Sequence, residues 1–160
     1  VDRNAPISNT RGTLVVAIIC LAALVLPLSF SGGAIATPAI GRDLGGSATS
    51  MAWITNAFML TFGSLLLTGG ALADRFGRKR IFLAGVGLFV LFSAILSFAP
   101  SILVVDLLRA GQGIGAAAAL AAGSAAIAQE FDGHARTRAF SMLGTTFGLG
   151  LAFGPILQAY

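Results

Sequence analysis

Charge is scarce in this chain, and acidic charge scarcest: its 160 residues hold six Asp and Glu against ten Lys and Arg. Charged residues make up 10% of the sequence, where ordinary globular domains carry roughly a quarter. That shortage excludes both a conventional water-soluble domain and a charge-rich disordered segment. Cysteine occurs once, at Cys20, so no disulfide framework or thiolate metal site is available, and Cys20 reads as a small packing residue. The single histidine, His134, lies in a polar stretch without partner ligands and receives no role. No Ser/His/Asp, Cys/His or paired-carboxylate arrangement is present, so no catalytic residue, metal ligand or cofactor is expected, and the chain does not read as an enzyme.

Apolar surface is what the sequence has in quantity. Hydrophobic residues reach 56% and the mean hydropathy is +0.91. The stretches 13–41, 44–73, 81–105, 110–128 and 139–160 contain no Asp, Glu, Lys or Arg. Each supplies the ~20 residues that cross a bilayer core, and none shows the ~10-residue alternation of a membrane β-barrel. The sequence therefore predicts an all-α, polytopic membrane protein, a helical bundle with helices over about 13–40, 48–73, 81–99, 101–128 and 139–160 behind a tail over 1–12. Val1, and an apolar run still open at Tyr160, read as an internal piece of a longer protein. Arg3 and Arg11 precede the first run as in a signal peptide, but that run is too long and four more follow, so an uncleaved first helix is expected.

Cationic residues set the expected orientation. Arg3 and Arg11 precede helix 1, Arg75, Arg78, Lys79 and Arg80 separate helices 2 and 3, and Arg136 and Arg138 separate helices 4 and 5, whereas the opposite loops offer only Arg42. The positive-inside rule then puts the N-terminus and the 74–80 turn in the cytoplasm of a cell whose inner membrane the chain crosses. The net charge of +4 reflects that bias and attraction to anionic lipid headgroups; nucleic acid is not an expected partner.

Within the spans, Pro27, Gly32, Gly33 and Pro38 allow helix 1 to bend, either to line a cavity or to pack closely on a neighbour. Ser47 or Thr49 can cap helix 2, Trp53 suits headgroup depth, and Asn56 either touches a substrate or hydrogen-bonds to another helix. Gly111, Gly115, Ala119 and Gly123 leave one face of helix 4 almost bare, and Gly148 with Ala152, or Gly150 with Gly154, does the same in helix 5. Gly111 to Ala116 satisfies the loose dinucleotide pattern Gly-x-Gly-x-x-Gly/Ala, but it lies inside an apolar helical run without a preceding strand, so no nucleotide site is assigned.

Between Gly70 and Arg80 the chain reads Gly-Ala-Leu-Ala-Asp-Arg-Phe-Gly-Arg-Lys-Arg. Gly70, Asp74, Arg75, Gly77, Lys79 and Arg80 resemble the loop signature Gly-x-x-x-Asp-Arg-x-Gly-x-Arg/Lys-Arg/Lys between helices 2 and 3 of the major facilitator superfamily, and Arg78 completes the gating turn that this resemblance implies. A carboxylate at the end of helix 2 meets the negative end of the macrodipole, at ~0.3–1 kcal/mol, and calls for a positive partner such as Arg75, Arg78 or Lys79. The resemblance implies that Asp74 latches a cytoplasmic gate against the other half of the protein; without it, the turn reads as a positive-inside anchor. A second match, Arg109 to Ala117, resembles the helix-4 signature Arg-x-x-Gln-Gly-x-Gly-Ala-Ala of proton-driven drug exporters, with Arg109, Gln112 and Gly113 at its named positions. An arginine inside the bilayer costs ~2.5–3.5 kcal/mol on insertion scales, and Asp106, three residues earlier, is its local counter-charge. From hydropathy alone both charges could equally occupy an external turn; the resemblance places Arg109 in the membrane. Gly150, Gly154 and Pro155 resemble the start of the antiporter signature Gly-x-x-x-Gly-Pro-x-x-Gly-Gly, with Gln158 and Ala159 in place of its last glycines. The end of helix 1 is similar to the fourteen-helix exporter branch, with Ser29 where that branch has an acid.

These resemblances imply the first five helices of a transporter that exports drugs or other small molecules, coupled to protons, by alternating access between two halves, the C-terminal half being absent here. Small-molecule substrate, protons and the lipid bilayer are its expected partners, and Ser29 and Asn56 are cavity candidates. An uptake facilitator or symporter of the same family, or a transport-dead membrane scaffold or sensor, remains open at this point.

Overall fold

Small residues and short polar breaks separate the helices. The computed structural model describes residues 10–158, with side chains over 12–156, and holds α1 (Thr10–Leu44), α2 (Ala48–Phe76), α3 (Arg78–Leu96), α4 (Ile102–Glu130) and α5 (Gly133–Gln158). All five are long and apolar enough to cross a membrane, and no strand occurs among the described residues. Arg3, Ala159 and the side chains of Arg11 and Gln158 lie outside the described residues.

Most helix ends run past the limits that hydropathy marks, the end of α3 being the clearest exception. α1 continues to Leu44 rather than stopping near residue 40, α3 begins at Arg78 rather than 81 and ends at Leu96 rather than 99, and α5 begins at Gly133 rather than 139. Apolarity reports the bilayer core of ~30 Å, whereas the 29 residues of α4 span about 43 Å, so its ends reach headgroup depth with polar residues still helical. His134, Arg136, Thr137 and Arg138 therefore occupy the first turns of α5 instead of a loop, and Arg136 lies over the Phe140 ring at 5.9 Å. Only Gly77 separates α2 from α3, so Arg78, Lys79 and Arg80 form the first turn of α3. The φ of 96° at Gly77 reverses the chain in one residue, a conformation that side chains resist. Ser47 caps α2, its Oγ accepting from the Ser50 amide at 3.2 Å.

Helix 1 is continuous through both prolines. Ser31 Oγ donates to the Pro27 carbonyl at 2.9 Å and Thr37 Oγ1 to the Gly33 carbonyl at 2.7 Å, so both hydroxyls are satisfied within their own helix, four residues back.

α4 is the central element, packed between α2 and α3 and touching α1 as well, while α1 packs chiefly on α5. The bare face foreseen on helix 4 meets α3 backbone to backbone: a Cβ on Gly85 would lie 2.6 Å from the Ala119 nitrogen, and one on Gly115 would lie 2.7 Å from the Gly85 oxygen. α2 approaches another side, where a Cβ on Gly69 would stand 3.2 Å from the Ala117 oxygen and Thr61 Oγ1 donates to the Ala110 carbonyl at 2.9 Å. α5 reaches α1 through Gly150, whose Cβ would meet the Leu24 oxygen at 2.9 Å, and through Gly154, which faces Ser31. Gly148 has open space around it and Ala152 is exposed, so the second of the two small faces foreseen on helix 5 is the one in use. Two apolar clusters fill the interior, one around Val16, Ile19, Ile127, Phe131 and Leu143, the other around Leu26, Phe58, Phe89 and Ala116.

Candidate functional site

Arg109 lies two turns into α4 with 4% of its surface exposed. Its Nη1 donates to the Ser29 carbonyl of α1 at 3.1 Å and to Gln112 Oε1 at 3.2 Å. Gln112, 1% exposed, passes the connection on: its Nε2 donates to Ser93 Oγ at 2.8 Å, and Ser93 donates to the Phe89 carbonyl at 2.7 Å. The Phe58 ring of α2 stands 6.0 Å from the guanidinium carbon. One arginine thus gathers four helices, and the bare backbone of Gly33 gives it room, since a Cβ there would overlap its Nη2. Ser29, Gly33, Ser93, Arg109 and Gln112 border a pocket of about 260 Å³ between α1, α3 and α4.

The expected pairing of Asp106 with Arg109 does not form. Among the described residues the only ion pair is Asp74 with Arg78, and both Asp106 Oδ1 and Arg109 Nε are buried without a hydrogen-bond partner. The reason is rotational: Asp106 is seven residues before Gly113 and shares its α2-facing register, whereas Arg109 is turned toward α1. Gly113 belongs to the packing with α2, where a Cβ would crowd Thr61 and the Phe58 carbonyl. Asn56 is exposed on a separate groove of about 840 Å³ between α1 and α2, with Thr37, Arg42 and Thr55, and makes no hydrogen bond among the described residues. Trp53, 46% exposed, faces outward on α2.

At the opposite end of the bundle, Arg78 is the partner that Asp74 finds. Its Nη2 and Nε donate to Asp74 Oδ1 at 2.9 and 3.2 Å, while its Nη1 donates to the Ala125 carbonyl at 2.6 Å and to Gln129 Oε1 at 3.0 Å. A cation therefore sits against the C-terminal turn of α4, where the helix macrodipole favours it. Arg75 lies over Phe76 at 5.3 Å, Gly70 has open space around it, and Lys79 and Arg80 are exposed. On α5, Gly150 and Gly154 form the seam with α1, and Pro155 lies within the helix beside it.

Two participants escaped the sequence reading: Ser93 and Gln129. A hydroxyl within the apolar run of helix 3 was the available signal for Ser93, since polar groups at membrane depth turn toward other helices. Nothing local marks Gln129, whose role arises only when α4 is packed against α3, and Gly33, expected to let helix 1 bend or pack closely, makes room for Arg109.

Comparison with known proteins follows the same lines. A sequence profile described as Major Facilitator Superfamily matches residues 17–160. The chain is 45% identical to the puromycin resistance protein of Streptomyces alboniger over 121 residues, 75% of this chain and 24% of that protein. It is 35% identical to the cephamycin export protein of Amycolatopsis lactamdurans over 97% of this chain and 32% of the relative. Against the multidrug efflux pump LfrA of Mycolicibacterium smegmatis it is 34% identical over 92% of this chain and 30% of the pump. The chain spans about a quarter to a third of the length of these relatives.

Proposed function

Since the chain belongs to the major facilitator superfamily, a multi-pass family of helical membrane transporters, we propose that the complete protein exports drugs or other small molecules across the bacterial inner membrane in exchange for protons. The observation that carries this reading is the buried polar hub of Arg109, Gln112, Ser93 and the Ser29 carbonyl. An arginine at membrane depth costs ~2.5–3.5 kcal/mol on insertion scales, and a passive scaffold has no return for it. Relatives named as resistance and export proteins support the direction of transport.

In this reading the N-terminus and Gly77 face the cytoplasm, and a C-terminal half closes the site from the other side by rocking against these helices. Asp74, held by Arg78, biases the cytoplasmic gate, with Gly70, Arg75, Lys79 and Arg80 shaping and anchoring that end. Asp106, one turn into α4 with a buried carboxylate oxygen, is the proton-carrying candidate. Gly150, Gly154 and Pro155 keep α5 closely seated on α1, and Asn56 lines the outer groove through which cargo leaves.

Proteoliposomes of the complete protein test it. An imposed proton gradient should drive labelled puromycin or ethidium against its own gradient, and Asp106→Asn should uncouple the two fluxes at unchanged protein level. Solute movement indifferent to the gradient would exclude proton coupling, and no saturable movement of puromycin, ethidium or benzoate would overturn the exporter reading.

A further inference from the structure

The pocket beside Arg109 holds a fixed positive charge and no negative one. Its walls carry Ser29, Gly33, Ser93 and Gln112 among apolar neighbours, with no acid. Both acceptors that Arg109 engages, the Ser29 carbonyl and the Gln112 amide oxygen, are neutral, and both are reached from Nη1. Nε is buried and unpartnered among the described residues. A guanidinium keeps its proton, and a buried cation without a counter-ion is costly, so the site is electrostatically incomplete as it stands.

No acid among the described residues supplies that counter-ion. Asp43, Asp74 and Glu130 lie in the last turns of α1, α2 and α4, Asp132 lies in the link after α4, and Asp2 is outside the described residues. Asp106 is nearest along the helix, yet it forms no ion pair with Arg109 and does not line the pocket.

We propose that this pocket receives a carboxylate of the transported compound, with Arg109 as its counter-charge. The inference rests on the exporter reading above and specifies the charge class of the cargo. A volume of about 260 Å³ admits the acid with a ring or short chain behind it, while drug-sized ligands fill roughly 300–1,000 Å³, so the rest of the molecule lies against surfaces outside the pocket. Planar, delocalised guanidinium is the cation best shaped for a carboxylate. Position 29 controls the selectivity. Ser29 borders the same pocket as Arg109, so an acidic side chain there is within reach of the guanidinium and would neutralise it from within. Serine leaves that place to the cargo.

Equilibrium binding of radiolabelled benzoate and of benzamide, its neutral counterpart, to the purified complete protein reads this preference directly. The wild type should bind benzoate saturably and roughly ten-fold or more tighter than benzamide, the margin of a charge-assisted hydrogen bond over a neutral one. Ser29→Asp should erase the preference at unchanged thermal unfolding, Arg109→Lys should keep part of it, and Arg109→Gln none. Absence of saturable benzoate binding, equal affinity for the two probes, or a preference that survives Ser29→Asp would each overturn the proposal. If Arg109→Gln fails to fold, Ser29→Asp decides alone. Gradient-driven flux of labelled benzoate and of puromycin, measured on the same preparation, separates the two readings: flux of either without charge preference removes the carboxylate inference only, and charge preference without flux of either removes the exporter reading only.

Discussion

Arg78 works at two interfaces with one guanidinium. Its bond to Asp74 is an i,i+4 pair with side chains 27% and 63% exposed, a class worth ~0.3–0.5 kcal/mol before screening. Its bonds to the Ala125 carbonyl and Gln129 cross to another helix and have no substitute if the arginine is removed. Asp74→Asn should therefore leave the thermal midpoint of the complete protein near wild type while altering export rate, whereas Arg78→Ala should lower both, by ~1 kcal/mol or more in stability. Melting curves and efflux assays on the two variants check this, and a stability loss in Asp74→Asn equal to that of Arg78→Ala would show that the ion pair, not the bridge to α4, holds this corner. The sequence made the need for a cation near Asp74 legible, because charge and helix polarity are local. It left three candidates, because the choice depends on which of them also reaches α4.

At the scale of helices, backbone contact between α3 and α4 is the feature most exposed to test. Gly85→Ala would drive a Cβ to 2.6 Å from the Ala119 nitrogen and 2.7 Å from the Gly115 oxygen, atoms that cannot move without displacing a helix. It should cost ~1–3 kcal/mol, the usual range for overpacking. Gly87→Ala, two residues along the same helix and with nothing near its would-be Cβ, should be neutral or gain up to ~1 kcal/mol of helix propensity. Thermal stability in detergent distinguishes them, and equal effects would mean that α3 and α4 do not touch through Gly85. The stripe of Gly111, Gly115, Ala119 and Gly123 was readable because a four-residue spacing of small residues is itself the geometry of a close crossing. Asp106 and Arg109 misled for a related reason: three-residue spacing permits contact, but Arg109 turns instead to Gln112 and to the Ser29 carbonyl of α1. Helix ends were equally hidden, since a transfer scale registers the oil and not the helix that continues beyond it.

The whole molecule presents Ser47 and Ser101 at one end and Thr137 at the other, all three exposed. In a Cys20→Ser background, single cysteines at Ser47 and Ser101 should react with a membrane-impermeant maleimide in intact cells, and one at Thr137 only after permeabilisation; the reverse pattern would invert the proposed orientation. The number and class of the spans were legible from composition alone, but which helices touch was not, since every span is apolar around its whole circumference. The seam between α1 and α5, closed by Gly150 and Gly154 against Pro27 and Ser31, bears on how the protein is made. α2, α3 and α4 follow one another off the ribosome, and α4 packs against both of the others as soon as it emerges. α1, the earliest of these five helices to emerge, meets its principal partner only when α5 follows roughly a hundred residues later, several seconds at ordinary synthesis rates. During that interval its proline-bearing face is open to lipid or to an insertion chaperone, so the first of the five to be made is among the last to be secured.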